Sequence, residues 1–141
     1  VNRNKTDREN TVVPRILVMD DEPIIQECLQ ELLEGFGYRV TVVADGAAAV
    51  TAYQQAYQED DPFQLVIMDL IIPGGTGAGK VISLLQNFDS NLKAVVTSGD
   101  PHHEVVVNFR KYGFCGVLLK PIRLERVTDL LENTFGTPVY L

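Results

Sequence analysis

Four short apolar runs in this chain stop abruptly at polar residues, and that repetition restricts the fold more than any other feature. Ile16-Leu17-Val18-Met19 runs into Asp20-Asp21, and Leu65-Val66-Ile67-Met68 runs into Asp69. Two further runs stop at Thr97-Ser98 and at Lys120, whereas Tyr38–Val43 passes into Ala44. Uninterrupted apolar runs of this length read as parallel strands covered on both faces. In an open parallel sheet the carboxyl ends of the strands border the ligand crevice. The polar residues therefore fall where chemistry is expected, at one edge of one sheet.

Helical patterns separate the runs. Strands are expected at about 15–20, 38–43, 63–69, 92–97 and 114–119. After the first, Pro23 suits a first helical turn, and Ile24, Ile25, Cys28, Leu29, Leu32, Leu33 and Phe36 follow at helical spacing before Gly35 and Gly37 end the helix. Asp45 caps a second helix to about Gln58, with Ala49, Val50, Ala52, Tyr53 and Ala56 inward. The acidic turn Glu59-Asp60-Asp61-Pro62 precedes the third strand. A glycine-rich loop, Pro73–Gly79, leads to a third helix ending near Phe88. Asp100-Pro101 reads as an N-cap with proline behind it, starting a fourth helix to about Tyr112. A fifth, about 124–135, turns Val127, Leu130, Leu131 and Phe135 inward. Five strand–helix units with right-handed crossovers make a doubly wound α/β sheet. Tyr53, Tyr57 and Phe63 are expected in the core or at its edge.

The 141 residues suit one domain. Residues 1–13 read as a linker or disordered arm, 14–136 as the domain and 137–141 as a tail. The chain begins with Val, as a piece cut from a longer protein would. Net charge is −7, although the first fifteen residues carry four basic side chains against two acidic ones. The acidic body argues against direct nucleic-acid binding. No apolar run approaches the ~20 residues of a membrane helix. The expected location is cytoplasmic, with the parent protein free to be membrane-anchored. Cys28 and Cys115 read as two buried, reduced thiols.

Asp20, Asp21 and Asp69 gathered at one sheet edge would repel one another unless a cation neutralised them. Hard carboxylate oxygens suit Mg2+. Sequence alone leaves Asp20 and Asp21 interchangeable as ligands and leaves Thr97 a rival to Ser98. Glu22 is expected at the rim of the pocket. Gly74–Lys80 resembles a phosphate-binding loop, but Val81 stands where the metal-binding hydroxyl is required. A phosphatase of the haloacid dehalogenase type would need D-x-D after the first strand, where this chain has Asp20-Asp21-Glu22-Pro23. His102 and His103 are neighbours on a helix and point apart, which disfavours a shared metal.

Val18-Met19-Asp20-Asp21-Glu22, Val66 to Pro73, Val96-Thr97-Ser98-Gly99 and Leu119-Lys120-Pro121 together resemble the response-regulator receiver domain. Pro73–Gly77 and Tyr112–Gly116 are most similar to receivers fused to hybrid sensor histidine kinases. The resemblance implies a flavodoxin-like (βα)5 sheet with strand order 2-1-3-4-5 and a cis Lys120–Pro121 bond. It implies that Asp69 takes a phosphoryl group from a phosphohistidine on a histidine kinase or histidine phosphotransfer domain docked beside Pro23–Cys28. Asp20, Asp21, Asp69 and the Ile71 carbonyl would hold Mg2+, and Lys120 and Ser98 would meet phosphoryl oxygens. The domain would catalyse its own phosphorylation and dephosphorylation without being a separate enzyme. The switched surface would lie around the fourth helix and fifth strand. Many receivers carry an aromatic residue three positions before the lysine; here it is Val117, which puts the aromatic part of such a switch in doubt. A receiver-like interaction module without phosphoryl turnover is the alternative.

Overall fold

The computed structural model describes residues 13–71 and 77–136. The arm, the tail and most of the glycine-rich loop expected from sequence lie outside the described residues. Five strands, β1 (Arg15–Met19), β2 (Arg39–Val43), β3 (Phe63–Asp69), β4 (Ala94–Ser98) and β5 (Gly116–Leu119), alternate with helices. The sheet is parallel in the order β2-β1-β3-β4-β5, the flavodoxin-like arrangement expected. The helices are α1 (Pro23–Gly35), α2 (Gly46–Gln58), α3 (Ala78–Phe88), α4 (Glu104–Val107) and α5 (Leu124–Phe135), with a 3-10 turn at Phe109–Tyr112.

Side-chain alternation divides the interior into two cores. Ile16, Val18, Leu65, Ile67, Val95 and Leu118 pack with Leu29 and Leu33 of α1 and with Val127 and Leu131 of α5. Leu17, Met19, Val66, Met68 and Val96 pack on the other face with α2, α3 and Val106 of α4. Period two then places Asp20, Asp69 and Lys120 on the α1–α5 side, in step with Val18, Ile67 and Leu118. Asp45 caps α2 as expected, accepting from the Ala48 N–H at 2.8 Å.

The expected fourth helix is much shorter. Asp100 does not cap it; its carboxylate accepts from the His102 N–H in a local turn instead. His103 is the cap, its Nδ1 accepting from the Val105 N–H at 3.1 Å. The β-branched run Val105–Val107 is a poor helix former, and the chain tightens into the 3-10 turn beyond it. Gly113, with φ of 95°, closes that turn in the left-handed region and receives Gln86 Nε2 at its carbonyl. A Cβ there would sit 2.8 Å from the Gln86 amide.

The thiols also differ from expectation. Cys28 is half-buried and Cys115 is exposed, because Cys115 enters β5, an edge strand whose outer side is uncovered. Ile24, at helical spacing with the core residues, is 79% exposed. Tyr53 and Phe63 are buried, and Tyr57 lies at the edge with its ring against Phe88. His102 and His103 are both exposed.

At the amino edge of the sheet, Asp61 joins three strands. Arg39 grips its carboxylate with both terminal nitrogens, at 2.9 and 3.0 Å, and Arg15 donates to its carbonyl at 2.8 Å. The Arg39 hydrogen bonds hold the Asp61 carboxyl below its usual pKa, with Arg39 and Arg15 charge adding to the effect. Asp61→Asn is expected to lose about 0.5 kcal/mol at pH 7, the scale of an exposed ion pair. A carboxyl with a lowered folded-state pKa stabilises above its unfolded value of about 3.9 and loses that contribution as pH falls through the folded value. The variant and the parent should therefore differ in urea melts at pH 7 and converge as pH falls through the lowered folded-state value of Asp61.

Candidate functional site

Strand register builds the site. Met19 is level with Met68, Asp69 with Thr97, and Ser98 with Leu119, so the residues at and just beyond these strand ends become neighbours. Backbone bonds continue the ladder past the strands: the Leu70 N–H reaches the Thr97 carbonyl, and the Lys120 N–H reaches the Ser98 carbonyl at 2.8 Å. A cleft of about 430 Å³ opens there, lined by Asp21, Glu22, Asp69, Ile71, Ser98, Gly99 and Lys120.

Asp20 is 2% exposed, and Asp69 is 7% exposed. Asp20 Oδ1 accepts from the Glu22 N–H at 2.9 Å, and Asp69 Oδ1 from the Ile71 N–H at 3.4 Å. Their other oxygens face one cation. Lys120 Nζ is 3.1 Å from Asp20 Oδ2, 3.1 Å from Glu22 Oε1 and 3.3 Å from Asp69 Oδ2. The contact with Asp20 Oδ2 is an ion pair without hydrogen-bond alignment, so that buried oxygen has no hydrogen-bond partner.

Burial raises the pKa of Asp69, and the Asp20 charge adds to it; Lys120 and the Ile71 N–H pull the other way without cancelling the rise. Burial disfavours the Lys120 ammonium, yet the hydrogen bond to Glu22, the close contact with Asp20 and the charges of Asp20 and Asp69 outweigh it, leaving its pKa raised. The lysine is thus a fixed positive charge at neutral pH.

Asp20, Asp21, Glu22 and Asp69 each offer a carboxylate oxygen, and these lie within 4.8 Å of one another. An all-oxygen donor set with a buried, unbonded carboxylate oxygen fits a hard divalent cation. Asp21 is exposed at the mouth, whereas Asp20 is buried beneath it. Of the two hydroxyl candidates, Ser98 lines the cleft, while Thr97 Oγ1 donates to the Met68 carbonyl at 3.4 Å. Ser98 Oγ is tied to Asp100, accepting from its N–H at 3.0 Å and donating to its carbonyl at 3.4 Å. Lys120–Pro121 is cis, as the resemblance implied.

Two residues carry more than sequence reasoning gave them. Glu22, expected at the rim, touches Lys120 directly. Gln26, one turn into α1, folds its side chain back to donate to the Asp20 carbonyl. A polar side chain one turn after Glu22, beside the apolar Ile25 and Leu29, was the available signal. Among the described residues no helix is long and apolar enough to cross a membrane.

The family model for the response regulator receiver domain matches residues 16–132. The glycerol metabolism activator of Pseudomonas putida is 30% identical over 90% of this chain, which spans 56% of that relative. Two-component response regulator ORR24 of Oryza sativa subsp. indica is 30% identical over 84% of this chain, covering 18% of that protein. Among solved structures, the receiver domain of sensor histidine kinase PA1611 from Pseudomonas aeruginosa, with a magnesium ion in its active site cleft, superposes with a TM-score of 0.75. It is 21% identical, and the match covers 89% of this chain and all of that one. With the doubly wound sheet and the acid-and-lysine cleft at its carboxyl edge, these matches show that the chain belongs to the response regulator receiver domain family of two-component systems.

Proposed function

We propose that Asp69 is the acceptor in a phosphorelay, taking a phosphoryl group from a phosphohistidine on a histidine kinase or histidine phosphotransfer partner. The observation that carries this reading is the pairing of a shielded carboxylate with a fixed cation: Asp69 Oδ2 lies 3.3 Å from Lys120 Nζ, at the floor of an open cleft. An ionised carboxylate oxygen is the nucleophile. The new O–P bond forms as the donor's N–P bond breaks, and the imidazole nitrogen keeps the electron pair. Lys120 offsets charge on the phosphoryl oxygens, and the Ser98 hydroxyl donates to one of them. Asp20, Asp21, Asp69 and the Ile71 carbonyl would hold Mg2+. Bound there, the ion supplies charge neutralisation on the transferring group.

Taking up a phosphoryl oxygen draws Ser98 away from the Asp100 carbonyl. The segment Ser98–Pro101 then shifts the neighbouring α4 and β5 surface, a route that asks nothing of Val117. The likeness of Pro73–Gly77 and Tyr112–Gly116 to receivers fused to hybrid sensor kinases supports placing this domain in a hybrid histidine kinase, able to pass the group onward or regulate the kinase in cis.

The test is incubation with acetyl phosphate and Mg2+, followed by intact-mass spectrometry. One phosphoryl group should be gained, and a chelator should prevent it. Beryllofluoride should bind under the same conditions. A folded protein that shows neither response is an interaction module, and the proposal fails.

A further inference from the structure

Lys120 has three N–H donors, and three carboxylates surround them. Two of the three are fixed: the Asp20 and Asp69 side chains are 1% and 9% exposed. Glu22 is different. Its side chain is 57% exposed, and it stands at the N-cap of α1 without capping it. Its own N–H is engaged by Asp20 Oδ1, which anchors the backbone and leaves the side chain free to choose a partner. The partner it meets is the ammonium 98 positions along the chain, at 3.1 Å.

A phosphoryl group on Asp69 would bring oxygens that need the same ammonium. The acyl phosphate carries more negative charge than the Asp69 carboxylate it replaces and draws the ammonium toward it, and of the present neighbours Glu22 is the one that solvent can receive. We propose that Glu22 is a positioning residue, a latch that holds Lys120 in the unphosphorylated domain and must release it as Asp69 takes the phosphoryl group. This rests on the reading of Asp69 as acceptor.

Two variants separate the latch from a simple charge effect. Glu22→Gln removes the charge; Glu22→Asp keeps it but is one methylene too short for the present contact. At saturating Mg2+, both should speed phosphoryl uptake from acetyl phosphate by about two- to fivefold, the range an exposed ion pair supports. An unchanged or slower rate in either variant overturns the latch. Independently, the Lys120 side-chain 13Cε and 15Nζ NMR signals in Mg2+-free protein should move in both variants. Signals that stay in place overturn the contact itself. Should the parent take up no phosphoryl group, the acceptor reading and the latch's kinetic role fall together, while the NMR signals still decide whether Glu22 holds Lys120.

Discussion

Asp69→Asn should take up no phosphoryl group from acetyl phosphate and Mg2+, yet it should melt at a higher temperature than the parent. The first result follows from the amide's lack of a nucleophilic carboxylate oxygen. The second follows from the electrostatics of the cleft. Burial and the neighbouring Asp20 charge raise the Asp69 pKa, so ionised Asp69 works against the fold even with Lys120 beside it. Removing that charge should contribute about 1 kcal/mol, on the scale of functional-site substitutions that trade activity for stability. For a domain of this size the gain amounts to roughly 3–6 °C in Tm. The sign fixes the pH dependence. A carboxyl with a raised folded-state pKa destabilises fully above that value and not at all below its unfolded value of about 3.9. The advantage of the variant should be greatest near neutral pH and fade as pH falls through the raised pKa. Calorimetry at several pH values in the presence of chelator checks this. Phosphoryl uptake by the variant would move the acceptor elsewhere. A lower Tm would mean that the Lys120 contact with Asp69 outweighs burial and repulsion.

The parts of the fold legible in the sequence are those set by local patterns. Runs such as Leu65–Met68 had to be buried strands because no polar residue interrupts them. Asp45 had to cap because a small-residue helix follows it. The site's main members were legible because they end strands, and the ends of parallel strands converge. What could not be read depends on contacts between distant residues. Nothing local to Glu22 reveals that its carboxylate meets Lys120, and nothing local to Cys115 reveals that β5 is an edge. The fourth helix was misjudged for a local reason: Asp100-Pro101 has the composition of a helix start, but the Asp100 side chain closes a turn on His102 and the valines beyond sustain only one helical turn. Alignment with the strand end already favoured Ser98 over Thr97, and the structure gives the reason: adjacent strand residues point to opposite faces, and Ser98 is the one that lines the cleft.

Lys120→Met should strongly destabilise the metal-free domain. The Lys120 side chain is 16% exposed and shares its charge among Asp20, Glu22 and Asp69. Methionine fills similar space but leaves two buried carboxylates facing each other without a cation. Breaking a buried ion pair from one side typically costs about 3–5 kcal/mol, because the orphaned charge remains. Partial exposure and the carboxyls' freedom to take up a proton place this case near about 3 kcal/mol, or roughly 10 °C in Tm. Two further measurements identify the cause. At one fixed Mg2+ concentration the variant, without the competing ammonium, should bind the ion more tightly than the parent, so the chelator-dependent gap in Tm should widen in the variant. Adding Asp69→Asn to Lys120→Met should recover more than the about 1 kcal/mol that Asp69→Asn contributes alone, since the two charges repel more strongly without the lysine; independent sites would return only that amount. Phosphoryl uptake by the single variant should fall by at least about tenfold, because a removed donor at developing phosphoryl charge costs on that scale or more. A variant as stable as the parent in chelator would mean that solvent already screens the cleft, and the case for a cation-demanding site at this sheet edge would lose its physical basis.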